Sequence, residues 1–174
     1  MKTEETRVIH PIPPTYDSRS EILILGSFPS VKSRETEYFY GHPQNRFWKL
    51  MSALYSDALP ETIEEKRAFL LKHRVAVWDV IRSCVIKGSS DSSIREVVPN
   101  DLNTILEKAS IKTIYCNGTK AYQLYCEYIK NRTYDRVVCL PSTSPANAAW
   151  TLERLEEAWR NAGIGYSVIP KNSN

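Results

Sequence analysis

The chain has 174 residues, 42% of them hydrophobic, and a formal net charge of +3. That length can bury one substantial core, and no apolar run is long enough for a membrane-spanning helix. The small basic excess permits a nucleic-acid partner without demanding one. The N-terminus is polar and then proline-rich, with no apolar stretch of signal-peptide type, so a soluble, intracellular (cytoplasmic) protein is expected. No heptad stretch calls for a partner chain, and a monomer is the expectation.

In chain order, residues 1–20 read as an extended arm ending in Pro13-Pro14 and packed on the surface. Residues 22–25 form a first strand, apolar throughout and therefore buried on both faces. Gly26 ends it, and Pro29 keeps it from continuing. A long loop follows, then a helix over 45–55, where Phe47, Leu50, Met51 and Leu54 fall at helical spacing. A second helix is predicted over 63–73, with Thr62 as cap and Glu64 and Glu65 favouring its N-terminal end. Residues 75–78 make a second strand, left at Asp79, and 87–93 make a polar loop. Asn100 or Asp101 caps a short helix reaching about residue 109. Residues 112–116 form a third strand closed by Asn117-Gly118, followed by a helix over 120–130. A fourth strand over 136–140 leads through 141–145 into a helix of 146–162, with Ala149, Leu152, Leu155 and Trp159 as its core face. A last short strand falls at 166–169. Strands alternating with helices imply an α/β fold: a three-layer α/β/α arrangement around a central, mainly parallel four-stranded sheet, in one domain over 1–174.

Four cysteines (Cys84, Cys116, Cys126, Cys139) and three histidines (His10, His42, His73) are scattered without short metal-ligand spacing. No metal and no cofactor are expected. The loop after the first strand is more informative, because it mixes Tyr38, Phe39, Tyr40, His42, Asn45 and Arg46. Core packing does not require that mixture, and a loop leaving the carboxyl end of a strand in an α/β sheet is where ligands bind. Tyr40 reads either as a flat surface for a ligand or as a loop anchor. Asn45 reads either as a functional amide or as a helix cap, and His42 as a donor or a brace. In the second region, Ser144 reads as an N-cap and Pro145 as the first helical residue. Helix-start N–H groups with the Ser142 and Thr143 hydroxyls would cradle a phosphate, unless this is a plain helix start. Asn117-Gly118 is either a second contact or a simple turn. Asp79 and residues 89–93 are weaker candidates for such a contact, since polar loops are usually just solvated.

The segment GSFPS at 26–30 with YGHPQNRFW at 40–48 resembles the first motif region of the uracil-DNA glycosylase superfamily, in its hypoxanthine (deoxyinosine) branch. LPSTSPANA at 140–148 resembles that branch's second motif. The resemblance implies a monofunctional DNA glycosylase of base excision repair with damaged, deaminated DNA as partner. Such an enzyme flips the base out of the stack and hydrolyses its N-glycosidic bond with a positioned water, chiefly at hypoxanthine. It implies Asn45 as the catalytic residue, orienting water or hydrogen-bonding the base, since an amide is no general base. Base binding falls to Gly26, Ser27 and Phe28 through backbone N–H groups acting as an oxyanion hole does, to Tyr40 by stacking, and to His42. Backbone contacts fall to Pro141, Ser142, Thr143, Ser144, Asn117 and Gly118. Many superfamily members carry asparagine or aspartate two places after the first glycine, where this chain has Phe28. The hypoxanthine branch resembles this chain in using the asparagine of GHPxN instead. The motifs carry no lysine that stands out as a Schiff-base nucleophile. Alternatives are a uracil- or thymine-mismatch glycosylase on the same fold, a non-catalytic lesion-binding protein, or an enzyme of free nucleosides or esters. The missing G-x-S-x-G elbow argues against an esterase.

Overall fold

The computed structural model describes residues 5–129 and 136–165, so the strand expected at 166–169 and the end of the helix expected over 120–130 lie outside the described residues. Strand β1 (Thr6–Ile9) is followed by β2 (Ile22–Gly26), α1 (Val31–Thr36), α2 (Phe47–Tyr55), α3 (Ile63–Lys72), β3 (Val75–Asp79) and β4 (Ile81–Ile86). A 3-10 turn at Asp91–Ser93 precedes β5 (Arg95–Pro99), α4 (Asn103–Leu106), β6 (Thr113–Asn117), α5 (Thr119–Tyr128), β7 (Val137–Leu140) and α6 (Leu152–Asn161).

The central sheet has the order β3-β2-β6-β7, all parallel, with Ile24 opposite both Val77 and Tyr115. Leu23 to Leu25, Val75 to Val77 and Ile114 to Cys116 are buried there, as continuous apolar strands covered on both faces must be. From β2 the chain crosses through α2 and α3 to β3 on one side, whereas from β6 it crosses through α5 to β7 on the other. Right-handed crossovers in opposite directions put those helices on opposite faces. Helix α6 packs against α2, with the Phe47 and Trp159 rings 6.3 Å apart and edge-on. The result is the expected three-layer α/β/α fold around a four-stranded parallel sheet.

Helix α2 buries Phe47, Leu50, Met51 and Leu54 completely, so the spacing read from the sequence is its core face. Thr62 caps α3 in a capping box, its hydroxyl accepting from Glu65 N while the Glu65 carboxylate reaches back.

Several expectations are corrected. The arm at 1–20 contributes β1, which pairs antiparallel with β4 and so helps form a second sheet of order β1-β4-β5. Thr15 also bridges Val77 at the edge of β3. This sheet escapes the sequence because its outer strands β1 and β5 are largely exposed, the β4–β5 pairing is bulged, and β1 pairs with β4 across a long stretch of chain. The long loop after β2 contains α1, capped by Ser30. Asn100 caps no helix. It is buried, and its side-chain amide donates to the Asp79 and Ile81 carbonyls at 2.9 and 3.1 Å, holding the β3–β4 corner. Asp101 instead supplies the side-chain bond to Asn103 N. The helix expected over 146–162 begins only at Leu152, with Thr151 as its cap, which leaves Ala149 outside it and exposed.

Trp159 is fully buried and donates from Nε1 to the Pro141 carbonyl at 3.0 Å. In urea unfolding, Trp159→Ala should cost about 3–5 kcal/mol, against about 1 kcal/mol for Thr62→Ala.

Candidate active site

The strands β2 and β6 are neighbours whose onward connections leave in opposite directions, and the crevice at their carboxyl ends is where α/β sheets place ligands. A cavity of about 360 Å³ opens there. Of the residues singled out from the sequence, Gly26, Ser27, Phe28, Tyr40, His42, Asn45, Asn117, Ser142, Thr143 and Ser144 all line it. Gly118 and Pro141 do not. Gly118 instead turns the chain at φ +100, and a Cβ on it would meet Ser142 Cβ at 3.0 Å.

Asn45 lines the cavity and also braces the start of α2. Its Oδ1 accepts from Phe47 N at 2.9 Å, tying down an otherwise unpaired N–H at the start of α2. That bond identifies the oxygen, so the Nδ2 donors are left over, with no partner among the described residues. His42 similarly accepts from Gln44 N on Nδ1 at 3.1 Å, which braces the loop and leaves Nε2 at its other end. Tyr40 stacks on Phe47 with centroids 3.9 Å apart and rings 21° from parallel, so one ring face is already covered. Its backbone is left-handed (φ 54), an uncommon and costly state for an aromatic residue. Burial first, then the Asp79 charge, pushes its phenol well above the ordinary range, so the hydroxyl keeps its proton. Among the described residues that hydroxyl has no hydrogen-bond partner, and the nearby Asn117 pairs its Nδ2 and Oδ1 with Thr143.

Asp79 and Asp91 are the polar residues that the sequence reading passed over as solvated loop. Both line the cavity. Asp79 is 4% exposed and bonded through Oδ2 to His10 Nε2 at 2.6 Å. A Cβ on Gly26 would fall 2.3 Å from Asp79 Oδ1 and 3.4 Å from the Tyr40 hydroxyl. Glycine is therefore needed for space rather than for conformation. Asp91, on the rim, accepts from Ser27 Oγ at 3.1 Å. Desolvation first, then the Asp79 charge, holds its carboxyl above the usual range against the pull of Ser27 and Lys120. A signal for Asp79 exists in the sequence: it is the first polar residue after the apolar run of β3, at the same sheet edge as Gly26.

The second motif does not start a helix. Ser144 Oγ accepts from Ala146 N, Ser144 N donates to Ser142 Oγ, and Thr143 N donates to Asn117 Oδ1. The N–H groups of the expected phosphate cradle are thus spent within the loop. Their carbonyl counterparts are held by Arg46, whose guanidinium donates to Ser144 O and Asn147 O at 3.1 Å each and to Trp150 O. Arg46 N also donates to Thr143 O at 3.1 Å. With those carbonyls clamped, residues 144–150 turn instead of coiling, and no helix start is present here to cradle a phosphate.

Both motif loops therefore form one wall system around one cavity, as the superfamily resemblance implies. A family model described as the uracil DNA glycosylase superfamily matches residues 13–163. The chain belongs to that superfamily. His10 lies upstream of the matched span. A protein of Methanosarcina acetivorans named hypoxanthine DNA glycosylase is 36% identical over 149 residues, covering 84% of this chain and 92% of its own length. One of the same name from Methanosarcina barkeri is 30% identical over 152 residues, covering 86% and 94%. A solution NMR structure from Methanosarcina acetivorans, described as a candidate uracil DNA glycosylase, superposes with a TM-score of 0.73 at 31% identity. It covers 89% of this chain and 99% of that one. Among the described residues of this superfamily member, no group of three or more His, Cys, Asp or Glu side chains is placed to hold a metal.

Two substitutions probe this construction. Gly26→Ala forces its methyl into the Asp79 carboxylate and should lower thermal stability while abolishing binding in the cavity, read by melting and ligand titration. Arg46→Lys replaces a planar fork by a point charge, and should cost about 1–3 kcal/mol and raise amide hydrogen exchange over residues 143–150.

Proposed function

We propose that this chain is a monofunctional DNA glycosylase that removes deaminated bases, chiefly hypoxanthine from deoxyinosine-containing DNA. Supporting this reading are the names of the two Methanosarcina relatives, whose matches cover 84% and 86% of this chain. The observation that carries it is the character of the cavity. Its volume of about 360 Å³ is in the range of small-ligand pockets, it is lined by both motifs, and among the described residues its lining has two carboxylates but neither lysine nor arginine. Such a pocket repels a phosphate and suits a neutral base offering N–H donors.

The proposed steps use this chain's own groups. A nucleotide swung out of the duplex places its base beside the uncovered part of Tyr40, with His42 and the backbone N–H groups of Gly26, Ser27 and Phe28 near its polar atoms. As the N-glycosidic bond breaks, positive charge develops on the sugar and negative charge on the base, and preorganised donors stabilise the latter. Asn45, its oxygen fixed by Phe47 N, orients the attacking water or the base through its remaining donors. With the N–H groups of Thr143, Ser144 and Ala146 already bonded, the loop at 142–144 meets the DNA backbone through its hydroxyls at the cavity mouth, beside Asn117-Gly118. Without a lysine on the wall, hydrolysis by water is the simple route, with no strand cleavage.

A second reading, uracil removal, is favoured by the description of the structural neighbour as a candidate uracil DNA glycosylase. One experiment separates the two. Single-turnover assays on duplexes carrying deoxyinosine, deoxyuridine or deoxyxanthosine at one position, with alkali revealing abasic sites, should show fastest loss of hypoxanthine. Asn45→Ala should reduce that rate by at least ~100-fold, of the order seen when one preorganised donor is removed. Faster uracil loss would reverse the ranking, and binding of deoxyinosine DNA without any abasic product would make the protein a lesion binder.

A further inference from the structure

Asp79, on the cavity wall, is paired from behind with His10, and the proposed chemistry leaves this pair unused. His10 and Asp79 are both buried, with side-chain exposures of 2% and 6%, and are joined Nε2 to Oδ2 at 2.6 Å. His10 Nδ1 accepts from Ile12 N at 3.1 Å, so the ring carries its proton on Nε2 and donates it to Asp79. The imidazole is boxed by Phe28 and Phe39, with centroids at 5.9 and 6.1 Å. The Asp79 carbonyl is held in turn by Asn100. Backbone and one carboxylate oxygen are therefore fixed. The other oxygen, Oδ1, has no hydrogen-bond partner among the described residues and stands over the bare Cα of Gly26, at the cavity wall. The Tyr40 hydroxyl and Asp91 also feel the Asp79 charge, and neither is a cation. A carboxylate oxygen so placed is an acceptor awaiting a donor.

Deamination supplies that donor. In adenine, ring nitrogen N1 is a bare lone pair. In hypoxanthine it is N–H beside a carbonyl, and cytosine and uracil differ in the same way at N3. A carboxylate can only accept, so it bonds the damaged base and opposes the lone pair of the parent. We propose that the His10–Asp79 pair reads the ring N–H created by deamination, with Asp79 as the specificity-determining residue and His10 as the residue that positions it. This rests on the base-excision reading of the cavity. A site built around such a bond rejects an analogue lacking the group by roughly 10⁴-fold or more, which is what an enzyme scanning undamaged adenine requires.

His10 also dictates what an isosteric change must do. In Asp79→Asn, the His10 N–H demands the amide oxygen on its own side, so the NH2 group turns to the cavity. The wall then offers a donor to hypoxanthine N1–H, where two donors oppose each other, and to adenine N1, where they match. The experiment uses the full chain and one duplex carrying deoxyinosine or deoxyadenosine at the same position, under single turnover. Asp79→Asn should lose at least ~100-fold on deoxyinosine, and its adenine-to-hypoxanthine rate ratio should rise. His10→Phe should lose at least ~10-fold on deoxyinosine while binding DNA with a preformed abasic site as wild type does, since that ligand has no base to read. His10→Gln, which still offers an N–H, should recover most of the rate. Asp79→Asn within threefold of wild type on deoxyinosine, with an unchanged ratio, overturns the proposal. So does His10→Gln no better than a folded His10→Phe. Should His10→Phe fail to fold, the Asp79→Asn ratio decides. Wild type that excises neither base overturns the excision reading itself, a result distinct from excision that ignores Asp79.

Discussion

The clamp made by Arg46 is the interaction on which the rest of the site depends. Arg46 sits one residue after Asn45, at the N-terminal end of α2, and its fork holds three carbonyls of the loop that follows β7. Its own N–H takes a fourth, that of Thr143. Charged hydrogen bonds of this kind are each worth about 1.5–3 kcal/mol, and a planar guanidinium is the side chain able to serve several carbonyls at once. Two loops about a hundred residues apart in sequence thereby become one wall. Thr143, fully buried, completes the join through its paired hydrogen bonds to Asn117 at the end of β6.

Around that wall the molecule keeps polar groups short of partners. The Tyr40 hydroxyl is buried and unpaired, its backbone is left-handed, and Asp79 approaches Gly26 more closely than any other residue type would allow. Each such feature costs on the order of 1–3 kcal/mol, and none improves the fold. The well-satisfied parts lie elsewhere: the capping box of α3, the continuous burial of β2 and β3, and Trp159 between α6 and the second motif. Unmet hydrogen-bonding capacity gathered at one cavity, with Trp78 Nε1 of β3 the other buried unpaired side-chain group among the described residues, is what a ligand site requires.

The elements most easily read from the sequence were those with a strong local pattern. The apolar runs of β2, β3 and β6 and the helical spacing of Phe47, Leu50, Met51 and Leu54 need no partner to be recognised, because burial on both faces or along one stripe is written into consecutive residues. Ser144-Pro145 has an equally good local pattern for a helix start and was misread. Its carbonyls are committed to Arg46, a residue that no local window contains. Asn100 failed for the same reason, its amide being drawn to the Asp79 and Ile81 carbonyls instead of to a helix end. The β1-β4-β5 sheet stayed hidden because a half-exposed, bulged strand is recognisable only beside its neighbour.

Residue types and their spacing thus determined the α/β architecture, the two motif loops and most of the lining side chains, since these follow from hydrophobic period and from short segments met in order. Only the tertiary structure decided that His10 reaches Asp79, that Asp79 is buried at the cavity wall with Asp91 on its rim, and that Asn45 both braces the start of α2 and lines the cavity. Those are relations between residues distant in the chain, or between two uses of one side chain. A hydrogen bond is specified by position and direction in space, and sequence spacing carries neither until the sheet has brought its strand ends together.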